Sequence, residues 1–311
     1  MGPLLALIIL CVALGISRPF FFSSANIVNI LVTNAPLMIV AVGMTLTMIS
    51  GGFDLSVGAV VAATGVGLAM MLDAGVPEGL ALVLSLAIGP LFGGLVNGLL
   101  IAKAKLNFFV VTLGSMTALG GLVYVVTTGQ TRTIDSDLVY WIGNGDVLGI
   151  PTPIIILVLC IAAAWFVLSQ TPFGRNIYAA GGNIEAARLS GLNVVAVIAF
   201  VYALAGLFAS ISGVVQAGIL SAGAPTAGAN FALTAGAAVL LGGTSFAGGS
   251  GGVMGTVVGV LLISVLQNGL GLFGVSSFWQ DVVTGVVLIA AVAFDRLQRV
   301  RVGRPVRPKT S

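Results

Sequence analysis

Apolar runs of about 18 residues or more, the length a helix needs to cross a bilayer, recur from end to end of this chain. Short polar or glycine-rich stretches separate them. The pattern predicts spans at approximately 3–22, 27–49, 57–72, 79–101, 106–128, 151–170, 195–218, 231–247, 253–274 and 278–294. The expected fold class is therefore an all-α polytopic membrane protein of about ten transmembrane helices with glycine-rich breaks. No basic region precedes the first run and no small-residue cleavage site follows it, so residues 3–22 read as an uncleaved span. Residues 1–295 form the expected membrane domain and 296–311 a basic tail.

Charge placement gives this pattern an orientation. With both termini cytoplasmic, Lys103, Lys105, Arg175, Arg188, Arg296, Arg299, Arg301, Arg304, Arg307 and Lys309 all fall inside, leaving only Arg18 and Arg132 outside. An odd number of spans would put residues 171–194 and the tail on opposite sides, so the even count is preferred. Tyr140 and Trp279, near outer ends, read as interfacial anchors.

Composition narrows the function. Of 311 residues, 58% are hydrophobic and 7% charged, against roughly 25% charged in a soluble domain. Ten spans leave no room for a soluble catalytic domain. There is no histidine, and Cys11 and Cys160 sit in separate apolar runs, which argues against imidazole catalysis, metal cages and a disulfide framework. Lys103, Lys105 and Lys309 lack the glycines of a phosphate-binding loop, so nucleotide hydrolysis falls to a partner. The net charge of +3 is concentrated in the tail, which suits anionic lipid headgroups; no nucleic-acid partner is expected.

Two glycine clusters are too dense for continuous helix: Ser50-Gly51-Gly52-Phe53-Asp54-Leu55-Ser56-Val57-Gly58, and the stretch from Gly242 to Gly252. Non-helical backbone at membrane depth is tolerated only where it is buried in protein or lines a cavity, so both breaks point to a translocation path. Their rough similarity suggests a duplicated half. Other glycines, such as those of Gly89-Pro90-Leu91-Phe92-Gly93-Gly94, read as tight helix packing. Asp54 has two readings, a ligand contact or a cap that accepts from Ser56 or Val57, with Ser50 doing similar work nearby. The capping or gate-holding reading is preferred, because the orientation sets Asp54 toward the cytoplasmic end. Asn97, Thr112, Tyr124, Gln216, Gln267 and Asn268 are uncharged polar residues inside spans, suited to a sugar path or to interhelical hydrogen bonds. Asp54, Ser56, Asn97, Thr112, Gln216 and Asn268 are the path or gate candidates.

The longest cytoplasmic connection, Thr171 to Val194, predicts a short helix over Glu185-Ala186-Ala187-Arg188-Leu189, stopped by Gly191 and preceded by a Gly181-Gly182-Asn183 turn. Glu185 and Arg188, three apart, share a face. The pattern E-A-A-x-x-x-G at Glu185, Ala186, Ala187 and Gly191 resembles the ATPase-coupling motif of ABC importer permeases. The segment from Phe173 to Asn183 is similar to the form found in the ribose-type monosaccharide permease family. So are Gly51 to Gly58, Asn97-Gly98, Val110 to Gly114, Gly242 to Ser245, Asn268 to Leu270 and Phe278 to Gln280, in order across nearly the whole chain. Asn107-Phe108-Phe109 stands where that family usually has a proline, and Gly248 to Gly251 lacks an arginine often found there.

The resemblance implies a multi-pass permease of the bacterial inner membrane, paired with a second copy or a paralogue. Two ABC ATPase domains would dock below, carrying ATP and Mg, with no cofactor on this chain; an extracytoplasmic sugar-binding protein would deliver a monosaccharide or polyol from above. It assigns ATPase coupling to Gly174, Arg175, Glu185, Ala186, Ala187, Arg188 and Gly191. A branched-chain amino acid permease is the alternative within the class, and an ion-coupled secondary transporter the alternative outside it. The near absence of ionisable residues inside spans disfavours the latter. No cluster of nucleophile, base and metal ligands supports an integral-membrane enzyme.

Overall fold

The computed structural model describes residues 2–280 and 282–286; most of the predicted 278–294 span and the whole 296–311 tail lie outside the described residues. Helices dominate. The chain begins with α1 (Gly2–Ser17), a 3-10 turn over Pro19–Phe22, α2 (Ser24–Ile49) and α3 (Val57–Asp73). Then α4 (Glu78–Pro90) runs through a π-helical stretch, Leu91–Gly98, into α5 (Leu99–Ala102), followed by α6 (Phe108–Thr127) and α7 (Asp137–Asn144). The order continues with α8 (Thr152–Gln170), α9 (Pro172–Gly182), α10 (Ile184–Leu189), α11 (Val194–Leu220), α12 (Phe231–Leu241) and α13 (Val253–Leu272). Residues 277–280 and 282–286 are also helical, at the start of the tenth predicted span.

Six of these stretches are long and apolar enough to cross a membrane: α2, α4 through α5, α6, α8, α11 and α13; α1, α3 and α12 are apolar but shorter. Two predicted spans end early for visible reasons. The 3–22 segment stops being α-helical at Ser17, two residues before Pro19, whose ring disfavours helical backbone at the residue preceding it. The 231–247 segment stops at Leu241, because Gly242 and Gly243 begin an irregular stretch. Asn107, in the Asn107-Phe108-Phe109 stretch where the resembled family usually has a proline, caps α6 by accepting from Phe109 N at 2.8 Å.

Helices α2 and α11 form the centre. Buried residues make up 61% and 56% of their most apolar windows, against 28% for both α4–α5 and α6, which turn broad apolar faces outward as lipid-exposed helices do. In α2 every residue from Ala35 to Ile49 is buried. The contact of α11 with α4 and the π stretch is a glycine seam: a Cβ on Gly89 would overlap the Gly206 carbonyl, and one on Gly93 the Tyr202 carbonyl. Small residues here let backbones touch where lipid offers no hydrophobic drive for association. Interhelical hydrogen bonds supplement the seam: Ser212 Oγ donates to Pro36 O at 2.8 Å, and the Thr64 and Ser210 hydroxyls meet at 3.0 Å.

Three features escape the hydrophobic pattern. Helix α7 forms within a loop, capped by Ser136, which accepts from Val139 N at 3.2 Å. Two short antiparallel strand pairs join loops: β1 (Arg132–Thr133) with β4 (Ala222–Gly223), and β2 (Asp146–Val147) with β3 (Ile150–Pro151). The π stretch follows Pro90, which has no N–H to sustain the regular ladder.

Candidate functional site

The first glycine cluster is a break, as its composition predicts. Helix α2 closes with a Schellman arrangement: Gly51 N donates to Met48 O at 3.0 Å and Gly52 N to Thr47 O at 2.9 Å, with Gly51 at φ +87°. That left-handed backbone is why glycine stands there. Ser50 acts differently from the expectation. Its hydroxyl donates backward to Thr47 O at 2.8 Å, so it finishes α2 and takes no part in starting α3.

Asp54 does hold the start of α3. Its Oδ1 accepts from Ser56 N at 2.8 Å and from Ser56 Oγ at 2.6 Å. Ser56 Oγ in turn accepts from Asn97 Nδ2 at 2.8 Å, and Asn97 Oδ1 accepts from Ser115 Oγ at 2.6 Å. One chain of hydrogen bonds thus ties the first break to the π stretch and to α6. Asp54, Ser56 and Asn97 are 1%, 0% and 0% exposed, so each bond is made where an unmade one is costly. Neither ion pair among the described residues involves Asp54. Thr112 stands beside this chain, donating to Phe108 O at 2.8 Å with Phe53 O at 3.4 Å. The Tyr202 hydroxyl, buried on α11, lies against Gly52 without a hydrogen-bond partner among the described residues.

Four of the six path candidates therefore gather: Asp54, Ser56, Asn97 and Thr112. The other two do not join them. Gln216 is half-buried on α11, away from the chain of bonds. Asn268 pairs with Asn26 through two reciprocal amide bonds of 3.1 and 2.9 Å, joining α13 to the beginning of α2, far along α2 from the break. Ser115 and Tyr202 were missed. Ser115 lies three residues after Thr112, one helical step along the same face, whereas Tyr202 is marked only as the sole phenol in α11.

The connection from Thr171 to Val194 carries two helices. Thr171 caps α9 by accepting from Gly174 N at 3.1 Å, and Pro172 occupies the first turn. Gly181 and Gly182, expected in a turn, are helical and complete α9; the reversal comes at Asn183. Asn183 Oδ1 accepts from Glu185 N at 3.1 Å and Ala186 N at 3.0 Å, starting α10. Arg188 Nη1 pairs with Glu185 Oε1 at 3.2 Å, as the spacing predicts. Gly191, at φ +87°, ends the helix with its N–H on Arg188 O at 3.0 Å. Ala187 is the rooted residue, buried with Val194, Ile198 and Tyr202. Ala186, Glu185 and Arg188 are exposed, and Leu189 is 87% exposed. Gly174 is buried under α8, while Arg175 is exposed. Burial pushes the Tyr178 phenol up from its ordinary value, and its hydroxyl donates to Gly251 O at 3.0 Å.

An open cleft of about 420 Å³ lies between α8, Tyr178 and the second break. A smaller one of about 310 Å³ is lined by Thr127, Thr128, Gln130 and Thr131, with Arg132 and Asp73 pairing at 3.7 Å. Among the described residues no three His, Cys, Asp or Glu side chains come together as metal ligands would.

Residues 26–292 match the family described as branched-chain amino acid transport system / permease component. The chain is similar to the ribose import permease protein RbsC of Haemophilus influenzae, 44% identical over 295 residues that cover 94% of this chain and 91% of that one. RbsC of Escherichia coli K12 is 43% identical over 296 residues, covering 94% and 92%. The L-arabinose transport system permease protein AraH of Escherichia coli K12 is 35% identical over 305 residues, covering 96% and 90%. No solved structure matches.

Proposed function

From the premise that this chain belongs to the branched-chain amino acid transport system / permease component family, we propose that it is the membrane permease subunit of an ATP-driven ABC importer for a monosaccharide or related polyol. The observation that carries the substrate class is similarity along nearly the whole chain to permeases named for ribose and arabinose. The family description also names branched-chain amino acids, which is the second reading. A zwitterion calls for charged contacts, and the one carboxylate of the buried network is engaged by Ser56.

In this reading ten spans with both termini cytoplasmic set α9 and α10 on the side of the ATPases. The polar cleft at Asp73 and Arg132 then faces the binding protein. Two permease subunits, identical or paralogous, share two ATPase domains that hold ATP and Mg. Leu189, Ala186 and the Glu185–Arg188 pair form the ATPase contact, and Ala187 anchors that contact to α11. Closure of the ATPases moves α9 and α10 and shifts the permease between outward-open and inward-open states, to the extent that ATP-bound partners favour one of them. The basic charge of residues 296–311 suits attraction to anionic headgroups of a bacterial inner membrane.

A Glu185→Arg, Gly191→Leu double variant tests the coupling role. It is expected to insert normally while losing both uptake and stimulation of the ATPase; unchanged transport contradicts the assignment. Cysteine labelling at 185 from the cytoplasmic side only is the matching topological result, and labelling from outside the opposite one.

A further inference from the structure

Three backbone segments distant in sequence touch at one point. The Ile49 carbonyl, at the end of α2, accepts from Gly249 N at 2.8 Å, so a backbone hydrogen bond joins the two glycine-rich breaks. Gly181, in the last turn of α9, sits against that bond. A Cβ there would overlap the Ile49 carbonyl oxygen and stand 2.8 Å from Gly249 N. From the other side, a Cβ on Gly248 would stand 2.8 Å from both Gly181 O and Gly51 Cα, and one on Gly249 would stand 2.7 Å from Gly182 Cα. Backbone meets backbone on all three sides, with no side chain between to absorb a displacement. One turn earlier in α9, the Tyr178 hydroxyl bonds Gly251 O, a second tie to the same break.

This junction is stiff where it touches and soft behind. Helix α9 reaches both breaks through contacts that close packing makes incompressible. The breaks themselves lack the regular ladder of hydrogen bonds that stiffens α2, α3, α12 and α13, so they are the segments able to absorb a change of backbone angle. Asp54 follows Ile49 by five residues and holds Ser56, Asn97 and Ser115 in line. A shift of α9 thus reaches the buried polar chain by way of Ile49, Gly51 and Gly52.

We propose that Gly181, Gly248 and Gly249 are positioning residues that pass movement of the coupling segment to both membrane breaks at once, and through the first break to the Asp54 network. This rests on the coupling role given above to α9 and α10. It adds a route on the permease side of the ATPase contact.

The test uses the full complex, with its ATPase and binding protein, reconstituted in proteoliposomes, and reads sugar uptake against ATP hydrolysed. Gly181→Ala is expected to assemble with basal hydrolysis near that of the native complex while uptake per ATP falls by about 10-fold, the size of a lost coupling between sites. Tyr178→Phe removes only a hydroxyl and leaves every backbone contact, so it reports even where Gly181→Ala does not assemble; uptake per ATP should fall by about 3-fold, the range of one hydrogen bond. Uptake per ATP unchanged in Tyr178→Phe and in any assembled Gly181→Ala overturns the inference alone. Uptake and hydrolysis falling in parallel also overturns it, since that marks a general structural role. A native complex without ATP-driven uptake overturns both this route and the function on which it rests.

Discussion

The two breaks are built by opposite means. The first, from Ser50 to Ser56, is held by side-chain chemistry: a Schellman close at Gly51, then a buried carboxylate that fixes Ser56 and, through it, Asn97 and Ser115. The second, from Gly242 to Gly252, is held chiefly by close backbone packing, with the Tyr178 hydroxyl on Gly251 O as a side-chain tie. Gly242 lies against the Gly255 backbone, Gly248 and Gly249 against α9, and Ser245 N bonds Ser250 O at 2.9 Å to close the loop on itself. Its buried hydroxyl, on Thr244, has no partner among the described residues. Membrane depth requires that irregular backbone be shielded, and these are two solutions to that one requirement. The first break is therefore sensitive to loss of polar atoms, and the second to gain of carbon.

Substitutions can break or sharpen that contrast. The largest effect is expected at Asp54→Ala, which strips two bonds from Ser56 in a fully buried site and should cost about 2–3 kcal/mol in denaturant unfolding from detergent micelles. A loss no greater than at an exposed carboxylate would remove the polar anchor from the account. At Gly242→Ala the added methyl meets the Gly255 backbone, and thermal unfolding should show a cost of about 2 kcal/mol from overpacking. Asn97→Ala leaves Ser56 and Ser115 each short of a partner; interhelical polar contacts in bilayers are modest, so about 1 kcal/mol is expected by the same unfolding measurement. The smallest effect belongs to Thr244→Val, which removes an unbonded hydroxyl at nearly constant shape and should lie within about 0.5 kcal/mol of native. A substantial loss there would make the second break polar-anchored like the first.

What could be read from the chain divides along the same line. Features specified by near neighbours were legible: the apolar segments that became α2, α6, α8, α11 and α13, the Asp54 bond to Ser56 two residues on, the Glu185–Arg188 pair, and the stop at Gly191. Features decided by distant contacts were not. Ser50 turned back to Thr47 O, a carbonyl in the last turn of α2 that also accepts from Gly52 N, which residue type alone does not foretell. At Gly181, inside the last turn of α9, close packing against Ile49 and Gly249 leaves no room for a Cβ, so a composition that reads as a turn serves there as a contact. Asn268, a path candidate by polarity, was claimed by Asn26 from 242 positions away. Ser136-Asp137 ahead of an apolar stretch is an N-cap signal, and it marks α7 in hindsight.

The most direct measurement is uptake into proteoliposomes holding the permease, its ATPase and its binding protein, with ribose, arabinose and leucine offered in turn. Import of a sugar that requires ATP and persists when an ionophore collapses the membrane potential is the predicted result. Import of leucine in its place, or sugar import that ignores ATP and stops with the ionophore, would contradict it.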